Sequence, residues 1–448
     1  MLSVLLATEF WALFPQEIKR KTNNKSVFLK QYLRTVIVNF EYFIAKRIID
    51  KKSYKSSISA PIIKIGIVAI ALGVIVMLIA IATGVGLQRK IRDKVVAFNG
   101  HATISKFNTN NSKDSEIPIT NQQDFYPEFT AVPEVSHIQS VATKSGIIRL
   151  ENDFEYVVVK GVGADYDWQY FKEFLIEGEL PDYTKKRNED VLISSYLAKR
   201  LHLKVNAKIN TFFLNKDPNK LPRPITYNIV GIYDSGLKEF DELYMIGDLR
   251  HIQRLNKWKK DQVGHFEVFV KDYNNLENTW KDILRQTPSQ VDVVTVKQRF
   301  STIFEWIGIF DGNIYGIIGI MILVAGINMI TALLVLILER TQMIGILKAL
   351  GSSSNAIRKI FIYNATYLII VGLFWGNIIG LGLLLAQKYF NLIPLDPANY
   401  YVASVPVYLN ITYIILVNIG TFVLCFLMLL LPSYIVSKIS PVKAIKFD

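Results

Sequence analysis

Charge is missing from four stretches of this chain. Ile65–Leu87, Gly312–Leu338, Ile360–Gln387 and Pro397–Ser437 hold no Asp, Glu, Lys or Arg. Crossing a bilayer core as a helix takes about 20 apolar residues, so each stretch is long enough to span. No acidic or basic residue lies deep in any of them, which argues against an ion-coupled or proton-relay transporter. Cysteine is nearly absent too: Cys425 is the single one, inside the fourth stretch, so no disulfide staples the rest. Oxidising surroundings are neither required nor excluded, and Cys425 reads as a small packing residue. The phosphate-binding pattern GxxxxGK[ST] does not occur, so any nucleotide hydrolysis belongs to a partner. The five histidines show no HExxH or CxxC-type spacing, and there is no GxSxG elbow. No catalytic, cofactor-binding or metal-binding residue is assigned, and the chain reads as a non-enzyme.

What is present is a one-plus-three arrangement of apolar runs around a polar block, residues 88–311. The expected fold is a membrane protein with four transmembrane α-helices and a large mixed α/β extracytoplasmic domain between spans one and two. The expected segments are an extension at 1–38, an interfacial helix at 39–60 and span one at 61–90. The exported domain follows at 91–305, then span two at 306–338 and a cytoplasmic helix at 339–352. Span three takes 353–388, a short outer connection 389–408, span four 409–437 and a cytoplasmic tail 438–448. Residues 1–14 lack the basic leader and cleavage site of a signal peptide, and span one can itself direct export. The stretch 1–38 reads as an extension or an over-long start.

Charge sets the expected orientation. Residues 1–64 carry 12 Lys/Arg against 4 Asp/Glu, whereas the block 88–311 carries 31 of each. The chain's net charge of +13 therefore sits on the termini and the segment 339–359. Short cytoplasmic segments carry such an excess, which predicts cytoplasmic N and C termini. It also accounts for the basic balance without nucleic acid as a partner. Within Asn39–Ile49, Phe40, Phe43, Ile44 and Ile48 share a helical face, which fits either a helix at the membrane surface or one packed on its neighbours.

Small residues mark close helix approach. Gly372, Gly376 and Gly380 recur at four-residue spacing in span three. Gly316 and Gly319 in span two, and Gly66, Ala69 and Gly73 in span one, form similar faces. Asn328, Asn364, Asn377 and Asn418 lie within spans and are expected to bond between helices rather than to line a polar path. Spans one and two are long enough to continue above the bilayer as stalks under the exported domain. In that domain Tyr156–Lys160, Tyr227–Ile232, Val268–Val270 and Val291–Val296 read as strands, and Ser194–Leu203 and Gly247–Lys257 as helices.

Between spans two and three the sequence reads LERTQMIGILKALGSSSNAIRKIFIYNA, residues 338–365. Met343, Ile344, Leu347 and Leu350 form one apolar face of a short helix, with Arg340, Thr341 and Lys348 elsewhere and Gly351 as a stop. ERTxxIGILKALG in this position resembles the coupling segment of FtsX-like ABC transporter permeases, the class containing the LolC/LolE lipoprotein-releasing permeases and MacB. NFEYFIAKRI (39–48), KGVGADYDW (160–168), EDVLISSYLAKRLHLKV (189–205), NIVGIYDSG (228–236) and SPVKAIKFD (440–448) extend the likeness over most of the chain. Met343 stands where many relatives carry Glu, and Asn206 where Gly is common.

The resemblance implies a permease of the bacterial inner membrane, paired with a second permease as homodimer or with a paralogue. It implies a cytosolic ABC ATPase that binds ATP and Mg, with no cofactor in this chain. Motor contact would fall to Arg340, Thr341, Met343, Ile344, Leu347, Lys348 and Gly351. The bland alternative for the apolar members is packing on the protein's own membrane base. Lipoprotein release is the expected task, with a lipoprotein substrate, a periplasmic carrier and membrane lipids as partners. An efflux or cell-wall-hydrolase-activating mechanotransmitter, or a membrane-anchored ligand sensor, are the alternatives.

Overall fold

The structure, a computed structural model, describes residues 40–49, 60–107, 113–149, 153–214 and 221–434. The extension at 1–38, the tail at 438–448 and most of the loop Asn108–Ser115 lie outside these residues.

In chain order the elements begin with α1 (Phe40–Ile49), α2 (Ala60–Asn99), β1 (Ala102–Lys106), β2 (Ile119–Thr120), β3 (Val135–Arg149) and β4 (Phe154–Val162). Next come β5 (Leu175–Gly178), β6 (Asp190–Ser194), α3 (Ser195–Arg200), β7 (Lys208–Phe213), β8 (Arg223–Tyr233), α4 (Lys238–Asp241) and β9 (Tyr244–Asp248). Then follow α5 (Leu249–Leu255), β10 (Gln262–Val263), β11 (His265–Val270), α6 (Leu276–Gln286), β12 (Val291–Thr295) and α7 (Val296–Arg299). The chain closes with α8 (Ser301–Glu339), α9 (Thr341–Ala349), α10 (Ser354–Phe390), α11 (Pro397–Tyr400) and α12 (Ile411–Ser433). Among the described residues, α2, α8, α10 and α12 are the four helices long and apolar enough to cross a membrane. A mixed α/β domain stands between the first and second of them.

These residues divide into two compact units. One comprises Met1–Ile79, Gly316–Leu383 and Asn410–Asp448, and its described elements are all helices. Its packing follows the small residues. A Cβ placed on Gly372 would lie 2.8 Å from Ile70 Cβ on α2, and one on Gly376 would lie 2.9 Å from Val74 Cβ. Gly380 faces Leu78 at 3.3 Å, Gly66 faces Ala332 of α8 at 3.3 Å, and Gly73 lies against Met321. Gly316 and Gly319 differ from this pattern: among the described residues nothing stands within 4 Å of a Cβ there. Gly326, not singled out in the sequence, is the α8 glycine that meets α12, through Met428.

Asn377 and Asn418 bond reciprocally across α10 and α12, at 2.6 and 2.9 Å. Asn364 instead donates within its own helix, to Ile360 O at 3.2 Å. Arg358 joins the same two helices, donating from Nε to Ser433 Oγ at 2.8 Å.

The second unit comprises Ala80–Tyr315 and Leu384–Leu409. Its sheet runs β12-β1-β11-β3-β4-β9-β6-β8-β5, with β7 pairing β3 and β8. The pairs β4–β9 and β6–β8 are parallel, and the remaining pairs antiparallel. The expected strands fall within β4, β8 and β11, and for the last within β12 and the first residue of α7. The expected helices contain α3 and α5. The longest strand, β3, has no counterpart in the sequence reading, because Gln139, Ser140, Thr143, Lys144 and Ser145 interrupt any apolar alternation. Gln139 and Ser140 are nonetheless buried, and their polar groups are satisfied by long-range partners.

One apolar core includes Ile104, Ile138, Val157, Val159, Leu197, Phe266 and Ile283. Another joins Ile91, Val95 and Phe98 of α2 and Ile303, Phe304 and Ile307 of α8 to strand residues such as Val141 and Val162. Val402, from the connection between α10 and α12, belongs to this second core. That connection is therefore built into the exported unit. Asn206 takes φ +69, a left-handed conformation that asparagine tolerates and glycine adopts without strain.

Candidate functional site

The segment joining α8 to α10 is a helix set off by a break and a defined stop. Arg340 interrupts the helical run with φ −98 and ψ 17, and α9 starts at Thr341. Thr341 Oγ1 donates back to Leu338 O at 2.7 Å. At the far end Gly351 takes φ +90; its N–H donates to Lys348 O at 3.0 Å, and that of Ser352 to Leu347 O at 2.9 Å. That pair of bonds is a Schellman stop, and Gly351 supplies the left-handed residue it needs. Lys348 sits in the last turn, where a cation complements the carbonyl end of a helix.

Burial sorts the residues of α9 differently from the apolar face read in the sequence. Ile344 is fully enclosed. Met343 and Leu347 are partly buried against Ala45 of α1 and Ile360 of α10, with Ile44 alongside. Tyr42 of α1 meets Tyr363 edge-on at 6.0 Å, so α1 is docked by part of its surface, while Phe43 stays exposed. Three of the seven expected contact residues thus point into the protein's own helical base. The outward face carries Leu338, Gln342, Ile346, Ala349 and Leu350, spaced three or four apart or adjacent. Ile346 is 49% and Leu350 80% exposed. The sequence could not separate the two apolar faces, because Ile and Leu occupy both.

In the exported unit the ends of the two long helices meet the sheet. Gln88 of α2 donates to Ile307 O and to Asp311 Oδ1 of α8, at 3.0 and 2.9 Å. Phe98, in the last turn of α2, stacks on Phe240 at 4.8 Å and meets Phe171 edge-on at 5.1 Å. The Lys160 ammonium of β4 donates to Phe98 O, closing that helix end. It also donates to both oxygens of Glu267 on β11, at 2.7 and 3.0 Å. Gln139 Nε2 donates to Glu267 Oε2 at 2.9 Å, and His265 lies 3.8 Å from Oε1.

Burial works against the charge on Glu267, yet the Lys160 ammonium and His265 outweigh it and hold the carboxyl down at about 2. Lys160 and Glu267 line a cleft of about 550 Å³ at the end of α2, together with Phe98, Asn99, Arg299 and Phe300. This pair was not read from the sequence; the two residues lie far apart in the chain and nothing local marks them. Among the described residues, no group of three or more His, Cys, Asp or Glu is arranged to hold a metal ion.

A family model described as the MacB-like periplasmic core domain matches residues 65–302, just over half of the chain. A second, described as the FtsX-like permease C-terminal, matches residues 315–441. The chain belongs to the FtsX-like/MacB-type ABC transporter permeases. This permease is 20% identical over 428 residues to the lipoprotein-releasing system transmembrane protein LolC of Xylella fastidiosa, covering 92% of this chain and 99% of that one. It is 24% identical over 412 residues to LolC of Neisseria meningitidis, covering 86% and 94%. With LolE of Haemophilus influenzae it shares 21% over 425 residues, covering 91% and 99%. Among solved structures, the periplasmic region of MacB from Actinobacillus actinomycetemcomitans matches 45% of this chain and 91% of that one, at 14% identity and a TM-score of 0.30. The permease is a multi-pass protein of the inner membrane, and its family is not itself catalytic.

Proposed function

We propose that the chain is the permease subunit of an ABC transporter that releases lipoproteins from the inner membrane. End-to-end similarity to permeases of lipoprotein-releasing systems carries this reading, since each alignment spans both the exported domain and the membrane helices. In it, a separate cytosolic ATPase holds ATP and Mg and docks on the outward face of α9. A second permease, identical or paralogous, completes the membrane part. The N and C termini are cytoplasmic, as the basic excess of residues 1–64 supports. Movement at α9 reaches the exported domain through α2 and α8, each a single helix of roughly 60 Å at 1.5 Å per residue. That length is about twice a hydrocarbon core. The domain then works on a lipoprotein substrate and passes it to a periplasmic carrier.

The burial of α9 changes which residues test the motor contact. Ile346→Asp with Leu350→Asp alters the outward face without touching the Ile344 contacts. Co-purification of an ATPase bearing Walker motifs is expected with the parent chain and lost with this pair. An ATPase that stays bound at full yield removes the docking assignment. Depletion of the permease is expected to strand lipoproteins in the inner membrane, read by fractionation; unchanged sorting rejects lipoprotein release.

A further inference from the structure

The connection between α10 and α12 is folded, and its two faces differ. Gln387 Nε2 donates to Val405 O at 3.0 Å, while Gln387 Oε1 accepts from the Ile393 N–H at 3.0 Å. The Leu395 N–H donates to Ala403 O at 2.9 Å, closing a small hairpin. On the inner face, Leu395, Tyr401 and Val402 enter the exported unit's core. Lys94 Nζ of α2 donates to Tyr401 O at 2.7 Å, and Trp306 of α8 meets the Tyr401 ring at 5.6 Å. The Arg89 guanidinium lies 3.8 Å from the Tyr408 ring centre. The hairpin is thus fixed by both long helices.

Its exposed residues are mostly large and apolar. Tyr389 and Phe390 are each 74% exposed, Leu392 64%, Ile393 56% and Tyr400 44%. Such a concentration on a segment already tied down marks a contact surface rather than loose chain. Its place decides the occupant. α10 is a membrane-spanning helix whose uncharged stretch ends at Gln387; Lys388 follows, and the patch begins at the next residue. Aromatic rings beside a lysine at the end of a span are the composition of the membrane–water boundary. A lysine at such a boundary can lay its stem along apolar surface and keep its ammonium among the headgroups. The patch follows directly on the end of α10, with Asn391 exposed among its apolar residues and Asp396 and Asn399 exposed before Tyr400.

We propose that Tyr389, Phe390, Leu392, Ile393 and Tyr400 lie in the headgroup–acyl boundary of the periplasmic leaflet and seat the base of the exported domain on lipid. The anchor is separate from the α9 contact and stands whatever the transported substrate is.

The test uses the full chain in vesicles of phosphatidylethanolamine and phosphatidylglycerol. Cys425→Ala removes the single cysteine, and its thermal transition checks the background. A nitroxide is then attached after Leu392→Cys, after Tyr389→Cys and, as a solvent control, after Lys185→Cys, whose parent side chain is 87% exposed. Collisional accessibility to oxygen is expected to exceed that to a water-soluble nickel chelate several-fold at 392 and 389, with the reverse at 185. A ratio at 392 and 389 equal to that at 185 overturns the proposal, since the face is then in water. Exclusion of both reagents at 392 and 389 also overturns it, because protein, a second copy or another partner, then covers the face.

Discussion

Replacing Lys160 with methionine isolates the contribution of the buried pair at the tip of α2. The methionine fills most of the lysine's volume, so the change is chiefly electrical. It leaves the Glu267 carboxylate, 2% exposed, with Gln139 and His265 but no cation. It also leaves Phe98 O, at the end of the first long helix, without its side-chain donor. Breaking a buried ion pair by removing one partner costs about 3–5 kcal/mol, mostly the penalty of the stranded charge. For a domain of this size each kcal/mol moves the unfolding midpoint by roughly 2–4 °C, so the expected fall is about 6–20 °C. The assay is thermal unfolding of the detergent-solubilised full chain, followed by intrinsic fluorescence. Lys160→Met with Glu267→Gln leaves no charge in the core and keeps an acceptor for Gln139, so it should regain most of the loss. Lys90→Met supplies the contrast, because the Lys90–Glu173 pair is 42% and 52% exposed and such pairs contribute about 0–1 kcal/mol. If Lys160→Met costs no more than Lys90→Met, or the double variant is worse than the single one, the argument from buried charge is wrong. Acid gives an independent check: with a folded-state value near 2, below the ordinary carboxyl range, Glu267 contributes stability above about pH 4.5 that is lost as pH falls toward 2.

Asp241 should behave in the opposite sense. Burial raises its carboxyl to about 6 despite hydrogen bonds from Ser235, so the folded state holds a proton that the unfolded state gives up near pH 4. Its contribution is present below about pH 4 and lost as pH rises through 6. Asp241→Asn, which keeps the acceptor oxygen, should raise the midpoint at pH 7 and flatten the pH profile between 4 and 6; an unchanged profile refutes this. In the helical unit, Gly372→Leu should destabilise strongly, because its Cβ would meet Ile70 at 2.8 Å, whereas Gly316→Leu has open space; equal midpoints in detergent would show that this packing is misassigned. Asn377→Leu leaves Asn418 without its interhelical partner, with an expected loss of about 0.6–2 kcal/mol. A chemical unfolding midpoint that does not move would count against the pair.

Legibility in the sequence followed the range of the cause. β4 and β8 were readable because β-branched runs such as YVVVK and YNIVGI carry their own preference. β3 was not, since its polar residues are affordable only where β4, β11 and the Asp165–Asp167 turn supply partners. Gly372, Gly376 and Gly380 could be picked out as contacts by spacing, but the same rule placed Gly316 and Gly319 in a packing role that no described residue fills. On α9 the helix and its stop at Gly351 were legible, being local, while its observed bounds, Thr341–Ala349, are shorter than the 339–352 expected. The outward face was not, because α1 and α10 cover one apolar stripe and leave the other.

The sequence by itself determined the one-plus-three membrane layout and the absence of a phosphate loop. The layout is local because a bilayer tests composition over about 20 consecutive residues and penalises every buried charge, and the phosphate loop because its motif is contiguous. The tertiary structure alone decided that Ile344 faces inward, that Lys160 meets Glu267 at the tip of α2, and that residues 391–408 form part of the exported unit. Each depends on groups far apart in the chain, which no local pattern brings together before the helices and the sheet have packed.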